Sequence, residues 1–363
     1  MTDPAPTIWL LTDGQPGNLT QIEGLAAHLA DRGVDVQVKR LRSNRWHMLG
    51  ATLLGASGMS IDQCRSDALA APWPDMVIGT GRRSAPWVRR VKRLSGGRAL
   101  AVQFGQKGAN LMAGLDHAFV VGHWRLPPHP RREKILTPPT GATPARLAAA
   151  KAADTGLLDL SRGPWLLLVL GGRCFDHDLP PALGAGIAVQ AREAAERLGG
   201  SLAIVSSRRS GAALEQAVKN AAPGAVFFPW DQTPNPFLAL LASADTAIVT
   251  GDSESMAAEA IAAGLPAYLA PVPTRSSPRM AVERAAAWLH GLGGTCAWAV
   301  RQVWAAGVLL PPRDLDQFLD DLVAAGFARR LTEETEIRLD WHPPPPPDTA
   351  LADRLMAIIR KRS

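Results

Sequence analysis

The sequence is short of several features that would have settled its class at once. Tyrosine occurs once in 363 residues. The three cysteines, Cys64, Cys174 and Cys296, have no CxxC spacing, so neither a structural zinc site nor a disulfide framework is indicated. No apolar run reaches the ~18 residues a membrane-spanning helix needs. The opening MTDPAPTIWLLTDG has no basic leader and no long apolar core, so no signal peptide is expected and the cytoplasm is the default location. Walker A and GxGxxG spacings are missing as well, which excludes the two commonest nucleotide loops. Abundant alanine, arginine and proline fit the bias of a GC-rich genome.

What is present describes a globular protein. Hydrophobic residues make up 47% and charged residues 20%, and the length suits two domains of about 150 residues each. The net charge of +6 is uneven. Residues 1–155 hold 20 Lys+Arg against 11 Asp+Glu, a balance of +9, which leaves 19 against 22, or −3, for residues 156–363. The basic half contains RRSAPWVRRVKRLSGGR (82–98), with Trp87 among arginines. Nucleic acid, an anionic membrane surface and a plain solvated helix face all fit such a stretch. No RNA- or DNA-binding signature accompanies it, so nucleic acid is not expected. The apolar WHMLGATLLGASGM (46–59) suits either a membrane-held acceptor or a buried helix, and the buried helix is preferred.

Apolar β-type runs alternate with helical patterns throughout, which predicts α/β architecture with parallel sheets. Strands are expected at 7–12, 34–41, 75–79, 99–104 and 117–121, and again at 164–172, 201–207, 225–230, 245–251 and 266–271. The proline-rich stretch 123–142 reads as a linker region. The expectation is two Rossmann-like doubly wound domains, 1–155 and 156–340, facing a cleft. A stiff connector, WHPPPPPD, then leads to a last amphipathic helix within 341–363, which packs back on the first domain or lies on a surface.

Polar motifs fall at the carboxyl ends of the expected strands, where doubly wound sheets bind ligands. LLTDGQPGNLTQIEGLA (10–26) places Asp13, Gly14, Gln15, Gly17, Asn18 and Gln21 at a strand-to-helix turn. Gly14 and Gly17 are expected to supply unusual backbone angles and Asn18 to cap the helix. The turn holds an anion or sugar hydroxyls, or is simply a capped turn. LLLVLGGRCFDHDLP (166–180) offers Gly171 and Gly172 as a close backbone approach to a phosphate and Arg173 as its counter-charge. Asp176, His177 and Asp178 are near-adjacent and do not converge on one ion unaided, so no metal site is expected. Ser207, Arg208 and Arg209 follow the next strand as diphosphate candidates, or as solvent-facing loop residues. Trp230 follows another, as a wall for a base or as core. The stretch IVTGDSESMAAEAIAAGLPAYLAP puts Gly251, Asp252, Ser253 and Ser255 at a helix start, with Glu259 one turn further on. Capping explains the serines. A ribose-binding carboxylate or a surface glutamate explains Glu259.

GDSESMAAEAIAAGLP resembles the donor-binding motif of MurG-type enzymes of the GT-B architecture. Together with TDGQPGNLTQIEGLA, LGGR, SSRR and FFPWD, it makes the chain most similar to the mitochondrial fission "elongated mitochondria" family over residues 7–330. The chain departs from that family's pattern at VQFGQKGANL (102–111) and VVGHWRLPP (120–128). The resemblance implies a GT-B-like fold and a nucleotide-diphosphate sugar bound between the domains, with Glu259 on the ribose. The implied activity is metal-independent glycosyl transfer to an envelope or lipid-linked acceptor, with no cofactor beyond the sugar nucleotide. The alternatives are a non-catalytic scaffold and a sugar-nucleotide epimerase. Asp13 and His123 are candidates to assist the acceptor, with Asp116 and His117 behind them. Peripheral contact with an anionic membrane fits the basic half, and the oligomeric state is left open.

Overall fold

The computed structural model describes residues 5–105, 112–124, 126, 128–153, 156–174, 177–275, 277–306, 308–311 and 313–361. In chain order the elements are β1 (Thr7–Thr12), α1 (Pro16–Ala30), β2 (Asp35–Arg40), α2 (Gly50–Leu54), β3 (Met76–Thr80), α3 (Gly81–Leu94), β4 (Leu100–Phe104), β5 (His117–Val121), β6 (Arg132–Ile135), α4 (Pro144–Ala152), β7 (Trp165–Val169), α5 (Pro181–Arg197) and β8 (Ser201–Val205). They continue with α6 (Gly211–Ala221), β9 (Val226–Phe228), α7 (Phe237–Ser243), β10 (Thr246–Thr250), α8 (Glu254–Ala262), β11 (Ala267–Ala270), α9 (Pro278–Gly291), α10 (Gly294–Ala306), α11 (Leu315–Ala324), β12 (Ala328–Arg330) and α12 (Asp348–Arg360).

The chain forms two compact units, and both are discontinuous. Unit 1 comprises Met1–Gly141, Pro278–Asp314 and Asp348–Ser363, and unit 2 comprises Ala142–Ser277 and Leu315–Pro347. A single cut near residue 155 does not describe this, because α9, α10 and α12 return to unit 1.

Each unit holds a six-stranded parallel sheet, ordered β2-β1-β3-β4-β5-β6 in unit 1 and β12-β11-β10-β7-β8-β9 in unit 2. Strands buried on both faces explain the unbroken apolar runs TIWLLT and WLLLV. Alternation along β1 sends Ile8 and Leu10 to a core shared with α1 and α12, and Trp9 and Leu11 to a second core under α3. The proline-rich connector thus delivers α12 onto unit 1. Leu351, Leu355 and Ile359 are buried there, and Arg32 holds Asp353 at 2.6 Å. In unit 2, Leu166, Leu168 and Leu170 share a core with α5 and α6.

Four sequence expectations are corrected. The stretch 123–142 is not wholly irregular, since its four residues REKI form edge strand β6, with the prolines lying outside it. Asn18 does not cap α1. The cap is Gln15, Pro16 opens the helix, and Gly17 lies in the first turn without a positive φ. Trp87 is not an exposed aromatic within a basic patch. It is fully buried and donates from its indole to Ser60 at 3.0 Å, while Arg89 beside it is 7% exposed. Finally, 46–59 is not a buried helix. Among the described residues of α2 only Ala51 and Leu54 are buried, whereas Met48 and Leu53 are 81% and 75% exposed.

Candidate functional site

A doubly wound sheet opens a crevice where consecutive strands leave in opposite directions, at the strands' carboxyl ends. In unit 1 that point lies between β1 and β3, and in unit 2 between β7 and β10.

The unit 1 crevice collects Asp13 and Gly14 after β1 and Gly81 after β3. Asp13 is 6% exposed. Its carboxylate accepts from the Gln15 amide at 3.1 Å and from the Asn18 side chain at 3.0 Å, and Arg83 lies 3.6 Å away. Gly14 has φ +72°, a left-handed conformation that favours glycine. Gly24 answers a different demand, because a Cβ there would sit 1.5 Å from the Thr140 carbonyl oxygen. Gln21 is half-buried on α1. Arg83 was not foreseen, although GTGRRS at the end of a strand was a usable signal. Asp116 and His117 lie at the amino end of β5, the wrong end for this crevice. Asp116 is held by Lys92 at 2.6 Å and the Ala101 amide at 2.8 Å, and burial pushes the His117 imidazole below its usual range despite Glu133. His123 follows β5 at the correct end, but it is fully buried and its Nε2 accepts from Arg313 at 3.4 Å. The structure therefore gives His123 no surface with which to meet an acceptor.

In unit 2 the motifs after β7, β8 and β10 converge on Asp252, which is 1% exposed. One carboxylate oxygen accepts from the Thr250 hydroxyl at 2.7 Å, and the other from the Gly172 amide at 3.0 Å. Arg209 closes the knot with an ion pair at 3.1 Å and a bond to the Asp252 carbonyl at 3.3 Å. The Gly171 amide donates to Thr250 at 2.7 Å. The Gly171 carbonyl accepts from Ser207 at 3.0 Å and Ser210 at 2.5 Å.

This corrects the reading of the paired glycines as a free amide cradle, because both amides are already bonded within the protein. The glycines are required for another reason. A Cβ on Gly171 would lie 2.1 Å from the Asp252 carboxylate oxygens, and one on Gly172 would lie 2.0 Å from the Arg209 carbonyl oxygen. Gly251 is also pressed, with Leu319 2.6 Å from where its Cβ would stand. Asp252 and Arg209 thus tie three loops together.

Four groups remain open around that knot. Arg173 and Arg208 are exposed on the loops after β7 and β8, and neither has an ion-pair partner among the described residues. Ser253 precedes α8 without a side-chain cap, and its hydroxyl lies 3.4 Å from that of Ser255. Trp230, 45% exposed, follows edge strand β9, and its amide donates to Ser206 at 3.0 Å. Glu259 lies further along α8. Burial pushes its carboxyl up to about 7, against the opposing charge of Arg146 on α4. Nothing in the sequence pointed to Arg146. Asp176 lies outside the described residues, and His177 is buried in a bridge to Thr274.

The described helices include none long and apolar enough to cross a membrane. The profile of the family described as mitochondrial fission ELM1 matches residues 16–305. No curated protein matches by sequence. Among solved structures, a Listeria monocytogenes protein described as a UDP-N-acetylglucosamine 2-epimerase is 12% identical, with 99% of this chain and 96% of that one covered and a TM-score of 0.50. The UDP-GlcNAc 2-epimerase of Neisseria meningitidis bound to UDP-GlcNAc is 9% identical, with 98% and 100% covered and a TM-score of 0.47. MurG of Acinetobacter baumannii is 13% identical, with 98% and 91% covered and a TM-score of 0.39. At 12% identity the likeness to the Listeria protein is one of fold alone: two doubly wound parallel sheets in one chain, of the GT-B type.

Proposed function

The chain belongs to the mitochondrial fission ELM1 family, and on that footing we propose that unit 2 binds a nucleotide-diphosphate sugar and that the protein is a metal-independent glycosyltransferase. The observation that carries the reading is the arrangement at the β7/β10 switch point. A helix start at Ser253, which makes no side-chain cap, and two exposed arginines with no ion-pair partner among the described residues stand on the loops that the knot fixes. Helix amides and guanidiniums are the groups that hold phosphate oxygens in a site without an added cation.

The roles follow from position. Arg173, Arg208 and the start of α8 at Ser253 and Ser255 hold the diphosphate. Glu259 accepts the ribose hydroxyls, and Trp230 walls the base. Transfer breaks the bond between the sugar's anomeric carbon and the diphosphate oxygen, leaving a second negative charge on the terminal phosphate. Donors fixed before the reaction stabilise that charge without reorganising. The acceptor hydroxyl attacks the same carbon and gives up its proton. The acceptor is an envelope or lipid-linked hydroxyl, and its proton leaves to a base or to water.

Calorimetric titration with UDP, GDP and ADP and their sugars tests the binding. One of them should bind more tightly than millimolar. Arg173→Ala and Arg208→Ala should each weaken it about tenfold or more, the value of a charge-assisted phosphate bond. Binding no tighter than millimolar for every ligand, or variants that match the parent, refutes the proposal. NMR of the bound donor separates the activities, because an epimerase would change the sugar with no acceptor present.

A further inference from the structure

Unit 1 has a surface that the nucleotide reading does not use. The tight turn Arg45–Leu49 and α2 expose Trp46, Met48, Leu49 and Leu53, while Ala51 and Leu54 fasten the element to the core. α10 packs beside α2. The α9–α10 pair is itself thinly buried, around Ala286, Val300 and Trp304, and it exposes Trp288 at 65%, Leu292 at 58% and Trp298 at 61%. Soluble surfaces seldom gather this many large apolar side chains, and tryptophan favours the boundary between water and lipid.

Charge identifies the occupant. Beside α2 opens a cavity of about 450 Å³, with Thr52, Gly55 and Ala56 on one wall and Arg89, Lys92 and Arg93 of α3 on the other. Among the described residues, no carboxylate lines it. Asp116 pairs with Lys92, and the Arg89 guanidinium, which loses hydration on burial, donates to the Ala51 carbonyl at 2.8 Å. The apolar segments are basic too. Residues 42–65 and 278–306 hold Arg42, Arg45, Arg65, Arg279, Arg284 and Arg301 against Asp62 and Glu283, and Glu283 is already paired with Arg279. Another protein's apolar groove would match the tryptophans but not Arg93, which has no ion-pair partner among the described residues, nor the arginines of the apolar segments.

We propose that this face docks on a membrane containing anionic phospholipid, with α2 and the α9–α10 pair entering the interfacial layer and the Arg89–Lys92–Arg93 cavity taking a lipid phosphate. The inference rests on no part of the nucleotide reading.

The test is co-sedimentation of the full chain with vesicles of phosphatidylcholine alone and of phosphatidylcholine mixed with phosphatidylglycerol. The protein should sediment with the mixed vesicles only. Arg93→Glu should weaken partition about tenfold or more, since each basic residue near such a surface is worth about 1 kcal/mol. Met48→Asp with Leu53→Asp should do the same, and both positions are exposed enough for the variants to fold. Matching concentrations of soluble glycerol 3-phosphate should not release the protein, which separates a membrane site from a site for free phosphate. Equal binding to both vesicles, release by glycerol 3-phosphate, or variants that sediment like the parent overturns the proposal. So does a concentration-dependent dimer that Leu53→Asp dissociates without any vesicle binding, because the face would then be covered by a second copy.

Discussion

Glu259→Gln separates the physics of the donor motif from its proposed role. Burial raises the Glu259 carboxyl from 4.5 to about 7 in the folded chain. Between those values the unfolded chain has released this proton while the folded chain retains it. The group's contribution is therefore fully present below pH 4.5 and is lost as pH rises through 7. At about 1.36 kcal/mol per unit, the loss is about 3 kcal/mol by pH 8, an upper limit because the side chain keeps some contact with water. Glutamine has no proton to lose, so the variant should match the parent near pH 4.5 and exceed it at pH 8. A domain of this size gains about 2–4 °C of Tm per kcal/mol, which predicts a gap of roughly 6–12 °C at pH 8. The measurement is the difference in Tm between variant and parent across pH 4.5–8.5, in which other titrating groups cancel. A gap that does not change with pH, or a less stable variant at pH 8, refutes the argument, since Glu259 would then be ionised and paired in the fold. Nucleotide provides the second arm. A carboxylate that accepts ribose hydroxyls must be ionised, so affinity should rise with pH through 7 in the parent and stay flat and weak in the variant.

Three further substitutions test the packing that positions the crevices. Gly171→Ala drives a methyl group to 2.1 Å from the Asp252 carboxylate and should cost about 1–3 kcal/mol, read from denaturant melts. Gly24→Ala meets the Thr140 carbonyl oxygen at 1.5 Å; because that partner is backbone, the loss should be at least as large. Leu355→Ala removes a fully buried side chain of α12 and should cost about 2–5 kcal/mol, with an unchanged melt showing that α12 does not hold unit 1.

The sheets were legible because every central strand is buried on both faces and so spells an unbroken apolar run between turn residues. The two strands missed, REKI and ARR, are short, polar and at sheet edges, where nothing demands such a run. Discontinuity of the units was not legible, since no local pattern shows that α9 and α10 leave the unit of the strand before them. The positions of Asp13, Arg173, Arg208 and Ser253 at strand ends or a helix start, and of Glu259 one turn into α8, were read correctly. The partners of their backbones were not. A GG pair has the same letters whether its amides face a ligand or a buried aspartate. His123 failed in the same way, because burial is a property of the whole fold and not of GHW.

Within one short motif, two acids do different work, and a double-mutant cycle distinguishes them. Asp252 is sealed from water and bonded to Gly172, Thr250 and Arg209, so Asp252→Ala strands a buried amide, a hydroxyl and a guanidinium together. Because the Arg209 side chain keeps 29% exposure, the cost is mainly that of stranding the buried amide and hydroxyl, about 2–4 kcal/mol. That loss should appear in the stability of the free protein, with no nucleotide present. The same carboxylate is what forbids a Cβ at Gly171, so in the Asp252→Ala background Gly171→Ala should become nearly harmless. The two changes should be non-additive by about 1 kcal/mol or more, within the range seen for residues in contact. If the two costs simply add, or if Asp252→Ala lowers nucleotide affinity while leaving the melt unchanged, then Asp252 faces the ligand and the knot described here is not what fixes the loops.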